Sequence, residues 1–229
     1  MLGTITNTIT ILVGSVAGSF MKRGIRPQYQ SALFVAMGLA SLALGFNAVV
    51  RTMPLSEYPV LFIVSLASGG LLGTILDLDG RFKRLVDRFD KSHEAGSLAK
   101  GLSTGILLYC IGTFSIVGPM ISALEGDNTF LYTNATLDLI TSAVLATTYG
   151  IGMAWAAPVL FCWQGMFYLI AKLFGPIIPD ALVNEIITVG GTLIVASGLS
   201  LLDIKDCKTL NLLPSLLVPV LFFIVKSLF

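Results

Sequence analysis

The sequence predicts an all-α, polytopic membrane protein with about eight transmembrane helices. Hydrophobic residues make up 55% of its 229 positions and charged residues only 12%, against about 25% charged residues in soluble domains. The mean hydropathy is +0.89, and apolar runs long enough to cross about 30 Å of hydrocarbon recur along the whole chain. These runs are continuous, whereas a transmembrane barrel would show short segments of strictly alternating polarity.

Eight apolar segments account for the predicted spans, and we expect them to form one transmembrane domain over residues 1–229. The fifth and sixth spans come from one apolar stretch, residues 135–173, which is too long for one crossing and suits two. Gly150, Gly152 and Pro158 supply the turn or break between them. The spans are residues 4–21, 31–50, 59–77, 100–122, 135–152, 154–173, 184–202 and 212–228.

Lysine and arginine set the expected orientation, because the loops that stay in the cytoplasm carry more of them. The loops after spans 1, 3 and 7 hold most of the basic residues, including Lys22, Arg84 and Lys205. With eight spans these loops lie on one side, which we assign to the cytoplasm. Both termini are then expected outside.

Residues 80–97 form a charged segment between two spans. Phe82, Leu85, Val86 and Phe89 follow the spacing of one helix face, with charged residues on the other. This pattern is typical of an amphipathic helix on the membrane surface. Such a helix is either a lipid sensor or docking site, or a plain cytoplasmic connector.

An inverted repeat is suggested by a shift of 152 residues, which superposes Pro27 on Pro179 and Gly38 on Gly190. The shift lays spans 1–3 on spans 6–8, with the second copy upside down, as in many transporters. The alternative is a chance alignment of residues that are common in membrane helices.

The segment TNATLDLITSAVLATTYGIG, residues 133–152, surrounds one carboxylate with hydroxyl groups. On a helix, Asn134, Asp138, Thr141 and Ser142 lie near one face. A carboxylate in lipid costs several kcal/mol, so Asp138 is expected to face protein or water. It could take up a proton or bind a cation there. The alternative is a carboxylate that caps the start of the span.

Spans 1 and 4 offer further polar groups. Asn7 could present its carbonyl to an ion or solute, or join two helices. In span 4, Gly112, Gly118 and Pro119 can break a helix, and Thr113 and Ser115 can satisfy the freed backbone groups. Transporters build sites at such breaks, although an ordinary kink is the alternative.

No enzyme or metal motif is visible, so we expect a protein without catalytic residues, metal or cofactor. The chain has one histidine and three cysteines, without the spacings of zinc, redox or P-loop sites. The net charge of +1 and the absence of a basic tract give no indication of nucleic-acid binding. Paired small residues such as Gly14 and Gly18 allow close helix packing, either within one chain or in a homo-oligomer.

The segments CIGTFSIVGPMISALEGD (110–127) and LDLITSAVLATTYGIG (137–152), followed by Gln164 and Gly165, resemble the YdfK/YqgA-like family of bacterial membrane proteins. The resemblance covers essentially the full chain. It implies a protein of the bacterial cytoplasmic (inner) membrane with a role in transport. The recurrent family positions correspond here to Asn7, Gly112, Gly118, Gly126, Asp127, Asp138, Gly150, Gly152, Gln164 and Gly165.

These observations favour a small secondary transporter in a lipid bilayer, moving a small solute or ion with H⁺ or Na⁺ coupling through Asp138. The alternatives are a homo-oligomeric channel, or a non-transporting membrane scaffold or sensor. The expected substrate- or ion-binding residues are Asp138, Asn7, Thr113, Ser115, Thr141, Ser142 and Gln164.

Overall fold

The computed structural model describes residues 1–21, 26–82, 84, 105–106, 108–110, 112–175 and 178–227. Every regular element within these ranges is helical, which confirms the all-α prediction. Short 3₁₀ helices cover Met53–Leu55, Gly150–Trp155 and Leu213–Leu216. The α-helices are α1 (Leu2–Phe20), α2 (Pro27–Thr52), α3 (Leu61–Ile75), α4 (Thr113–Leu124), α5 (Thr129–Tyr149), α6 (Ala156–Phe174), α7 (Asp180–Leu201), α8 (Thr209–Leu212) and α9 (Leu217–Ser227).

Five segments in the described part of the chain are long and apolar enough to cross a membrane. Two further apolar helices, α3 and α4, are shorter. Large apolar side chains such as Phe20 and Leu173 are mostly exposed, as expected where lipid rather than water covers the protein. The count of eight spans stays a prediction. The five segments are Leu2–Phe20, Pro27–Leu55, Thr129–Phe174, Asp180–Leu201 and Thr209–Ser227.

The long apolar stretch that contains the fifth and sixth predicted spans is interrupted near Gly150, as the sequence predicted. Helix α5 ends at Tyr149, and Gly150 has a φ of 67°, a conformation that favours glycine. The 3₁₀ helix Gly150–Trp155 then leads into α6. Pro158 lies in the first turn of α6, where its missing N–H breaks no helical hydrogen bond.

The chain divides into two compact units, the first comprising Met1–Met37 and Phe82–Leu173. Helices α1 and α5 pack along their length within this unit and run in the same direction. Gly3 faces Leu131 near the start of both helices, and Gly18 faces Ala143 farther along. Buried apolar residues join this pair to α6 and the Gly150–Trp155 segment: Ile11, Tyr109, Cys110, Ala146, Met153, Ala156, Ala157 and Leu160.

The second unit comprises Gly38–Arg81 and Phe174–Phe229. Helices α2 and α7 run antiparallel, since Gly38 meets Leu202 at one end and Thr52 meets Thr188 at the other. Helix α3 packs against the interrupted segment 209–216. There Gly69 lies against Ser215, and Gly73 lies against Asn211.

Some predictions fall outside what the structure describes. Most of the predicted amphipathic connector, residues 83 and 85–97, lies outside the described residues. Pro27 opens α2, and Pro179 immediately precedes α7, but the inverted repeat stays a prediction. The expected single transmembrane domain and the outside location of both termini also stay predictions.

Candidate functional site

Glycines hold α1 and α5 in near backbone contact. A methyl group added at Gly14 would lie 2.5 Å from the Leu139 carbonyl oxygen and closer still to the Ser142 hydroxyl. The backbone N–H of Gly3 donates to Asn128 Oδ1 at 3.1 Å. Asn7 is fully buried on the same face of α1, between these two close approaches. The packing therefore directs the Asn7 side chain into α5.

Asp138 lies inside α5 and does not cap it. The helix begins at Thr129, more than two turns before Asp138, so the helix-cap alternative is wrong. Asp138 is buried, with 6% of its surface exposed. Asn134, one turn earlier on the same face, donates from Nδ2 to Asp138 Oδ2 at 3.0 Å. Asn7 faces the same carboxyl from α1.

Ser115 connects three helices to this carboxylate. Its Oγ accepts from Asn134 Nδ2 at 3.3 Å and from Gln164 Nε2 at 3.4 Å. The same hydroxyl donates to the Tyr109 carbonyl. Ser115 and Gln164 have no exposed surface. We call Asn7, Ser115, Asn134, Asp138 and Gln164 the polar cluster.

A helix break adjoins the polar cluster. Residues 108–110 are helical, Gly112 is extended with φ −65° and ψ 147°, and α4 then begins at Thr113. The break therefore lies at Gly112, whereas Gly118 and Pro119 lie inside α4. Pro119 has no N–H to offer the carbonyl of Ser115, four residues earlier. Pro119 therefore leaves the Ser115 carbonyl without its usual helical N–H partner, whereas the Gly112 carbonyl at the break accepts from the Ser115 N–H at 3.0 Å.

Several buried polar atoms near Asp138 have no hydrogen-bond partner among the described residues. They include Asn7 Oδ1 and Gln164 Oε1, whereas Asn7 Nδ2 faces Asp138 and the Tyr109 hydroxyl faces Ser142. A buried polar atom without a partner costs roughly 1–3 kcal/mol. Buried polar atoms are usually hydrogen-bonded in proteins, so these unpaired atoms indicate a site that could bind a ligand or water.

Asp138 also lacks a positively charged partner within the described ranges: no ion pair joins it to a lysine or arginine there. A charged carboxylate in a low-dielectric interior is very costly unless strong hydrogen bonds or an opposite charge compensate it. No basic side chain in these ranges supplies a countercharge, and a proton or a bound cation could neutralise it.

Four of the seven predicted site residues meet in the polar cluster, and three lie beside it. Thr113 is buried at the start of α4. The Thr141 hydroxyl donates to the Leu137 carbonyl at 2.8 Å, within its own helix. The Ser142 hydroxyl donates to Leu139 at 3.0 Å and packs against Gly14.

Two contributors were not among the predicted site residues. Asn134 is the direct partner of Asp138, and its spacing of four residues was a readable signal. Tyr109 is buried with its hydroxyl close to Ser142 and Asp138. It sits in an apolar run, and nothing in the sequence marks it as part of a polar site.

A second buried carboxylate, Glu185, lies in the other unit and has a different environment. Glu185 is 1% exposed. Its Oε1 accepts from the Ser56 hydroxyl and, at 3.3 Å, from the backbone N–H of Tyr58. These hydrogen bonds attach the loop between α2 and α3 to helix α7. Glu185 therefore has a structural explanation that Asp138 lacks.

Glu185→Gln is expected to lower the free energy of unfolding by about 1–2 kcal/mol, because it weakens charge-assisted hydrogen bonds to Ser56 and Tyr58. Thermal unfolding of the purified variant in detergent checks this. A Tm equal to that of the wild type would contradict a stabilising role for the hydrogen bonds that Glu185 accepts.

The geometry defines a polytopic helical membrane protein with a buried polar cluster at a broken helix. The chain belongs to the DUF554 family of proteins of unknown function, whose model matches residues 2–224. It is 56% identical over 228 residues to "Uncharacterized membrane protein YdfK" of Bacillus subtilis (strain 168), covering 99% of this chain and 98% of that protein. It is 27% identical over 226 residues to "Uncharacterized protein YqgA" of Escherichia coli (strain K12), covering 95% and 94%.

These matches confirm the resemblance to the YdfK/YqgA-like family and the assignment to a membrane. No solved structure matches the chain.

Proposed function

We propose that the protein is a small secondary transporter of the bacterial cytoplasmic membrane. It moves a small solute or ion, coupled to H⁺ or Na⁺ through Asp138. One observation carries this proposal: a buried carboxylate without a basic partner in the described ranges belongs to a polar cluster in which the amide oxygens of Asn7 and Gln164 lack hydrogen-bond partners.

The proposal follows from the cost of an uncompensated charge. Asp138 is stable in the protein interior when a proton or cation neutralises it, and unstable when that ion leaves. An empty, charged site therefore favours a conformation that exposes it to water or to a new ion. This difference between loaded and empty states is what couples an ion gradient to transport.

The broken helix supports a transport role. In transporters, interrupted helices place backbone groups and helix ends at the binding site. Here the break at Gly112 adjoins Ser115, which contacts both Asn134 and Gln164.

The proposed roles follow from these contacts. Asp138 binds the ion, while Asn7 and Gln164 contact the ion or solute with their free amide atoms. Asn134 and Ser115 position these groups, and we propose that Thr113, Thr141 and Ser142 line the path.

We also propose that the protein is not an enzyme and needs no cofactor. The polar cluster offers one carboxylate, amides and a hydroxyl, which suits ligand binding better than nucleophilic catalysis. The lipid bilayer is its surrounding partner, both termini lie outside, and a homo-oligomer is compatible with this role.

A proteoliposome assay tests the proposal. Liposomes loaded with pH-sensitive and Na⁺-sensitive dyes would be exposed to amino acids, organic acids and simple salts under imposed H⁺ or Na⁺ gradients. We expect one compound to change the internal ion concentration, and the ion gradient to drive accumulation of that compound.

The same assay separates the alternatives. A channel would give flux that runs only down the gradient of the permeating ion, without accumulation. A scaffold or sensor would give no flux with any compound. Either result would contradict the transporter proposal.

A further inference from the structure

The unsatisfied atoms of the polar cluster are mainly oxygen acceptors. Asn134 Nδ2 is already used by Asp138 and Ser115, and Gln164 Nε2 is used by Ser115. The oxygens left without partners in the described ranges are Asn7 Oδ1 and Gln164 Oε1. Asn7 faces the Asp138 carboxyl, to which only its Nδ2 can donate, so the amide oxygen of Asn7 is the atom that stays free.

We propose that the polar cluster binds one alkali-metal cation, with the Asp138 carboxylate and the amide oxygens of Asn7 and Gln164 as ligands. This inference rests on the proposed function, because it names the coupling ion of the same site. Hard cations prefer oxygen ligands of these kinds. The Ser115 carbonyl, which Pro119 leaves without its usual helical N–H partner, would add a further oxygen ligand, as unwound carbonyls do in sodium-coupled transporters.

Charge balance selects a monovalent cation. Asp138 supplies one negative charge, and the other cluster members are neutral amides and a hydroxyl. One monovalent cation makes the buried site neutral, whereas a divalent cation would leave an uncompensated positive charge in the interior.

Protonation of Asp138 would satisfy fewer of the buried polar atoms in the cluster than a bound cation would. A protonated Asp138 gains one O–H donor, which can satisfy one acceptor. The second free oxygen would then need another donor, such as the Tyr109 hydroxyl. In the proposed site, one cation would be a ligand partner for the carboxylate and for both amide oxygens.

The test is cation binding by the full-length protein purified in detergent. Radioactive ²²Na⁺ binding and thermal unfolding would be measured in NaCl, KCl or LiCl and, at equal ionic strength, in choline chloride. We expect saturable ²²Na⁺ binding and a Tm that rises with NaCl but not with choline chloride, because a ligand that binds only the folded state stabilises it.

Two variants test whether the ion binds at the polar cluster. Asp138→Asn removes the charge, and Gln164→Met removes an oxygen while nearly keeping the side-chain length. We expect each to weaken ²²Na⁺ binding at least about tenfold, the lower end of losses seen when metal sites are perturbed. Glu185→Gln, in the other unit, is the matched control and should bind ²²Na⁺ like the wild type.

Tryptophan fluorescence gives an independent readout. Trp163 packs against the apolar core that contains Tyr109, whereas Trp155 is exposed. In a Trp155→Phe variant the remaining emission should change with NaCl over the same concentration range as ²²Na⁺ binding.

The outcomes separate this inference from the proposed function. If the folded wild type shows no ²²Na⁺ binding and is stabilised by none of NaCl, KCl and LiCl relative to choline chloride, the cation assignment is wrong. Proton-driven accumulation in proteoliposomes would then still support the transporter, with H⁺ as the ion. Binding that survives in both Asp138→Asn and Gln164→Met would also overturn the assignment, because the ion would sit elsewhere.

Discussion

Gly18→Ala is expected to lower the free energy of unfolding by about 2 kcal/mol, in the range typical of overpacked interiors. The added methyl group would lie 2.9 Å from the Ala143 carbonyl carbon and closer still to its oxygen. These are backbone atoms of α5, so no side-chain rotation can relieve the clash. The two helices must separate instead, and α1 carries Asn7 away from Asp138.

Thermal unfolding in detergent measures this effect, and Gly165→Ala is its matched control. Gly165 lies inside α6, where the nearest atom to an added methyl is the end of the flexible Met1 side chain at 3.6 Å. Alanine there should be neutral or stabilising by up to about 1 kcal/mol. Equal stability of the two variants would contradict the close packing of α1 and α5.

Asp138→Asn is expected to abolish ion-coupled flux without loss of stability. Asparagine nearly keeps the shape of the side chain and can still accept a hydrogen bond from Asn134. It removes the buried charge, so the folded state should be as stable as the wild type or more stable. Ion affinity should fall at least about tenfold, equivalent to about 1.4 kcal/mol, and ion-coupled flux should be lost with it.

Tm values and initial transport rates, measured on the same preparations, test whether Asp138→Asn loses flux while keeping its stability. Glu185→Gln should show the reverse, with lower stability and unchanged flux. If Asp138→Asn instead unfolds at a much lower temperature, the carboxylate is a structural group.

The helical class and much of the site were readable from the sequence, because membrane burial imposes strong patterns. Long apolar runs reveal the helices, and a lone acid such as Asp138 in such a run must face the interior. The paired glycines Gly14 and Gly18 signalled close packing, and the structure places both against α5. Gly112 was a candidate break, and α4 begins immediately after it.

The helix starts were harder to predict, since hydropathy underestimates polar helical turns. The fifth span was expected from residue 135, but α5 begins at Thr129, which moves Asp138 well inside the helix. Likewise, the seventh span was expected from residue 184, but α7 begins at Asp180, and its residue Glu185 is buried. Pro179 and Asp180 are a helix-start signal that could have located it.

Contacts between distant segments could not be predicted from one sequence. The meeting of Ser115 with Gln164 depends on how three helices pack, and no local pattern encodes it. The same is true of Tyr109, whose aromatic ring reads as ordinary apolar core.

Solid-supported-membrane electrophysiology on proteoliposomes is the most direct test of the central claim that Asp138 couples an ion to transport. Wild type and Asp138→Asn would be measured side by side, with amino acids, organic acids and simple salts applied under H⁺ or Na⁺ gradients. The account predicts a substrate-dependent current in the wild type that is lost in Asp138→Asn and retained in Glu185→Gln. An undiminished current in Asp138→Asn would contradict it.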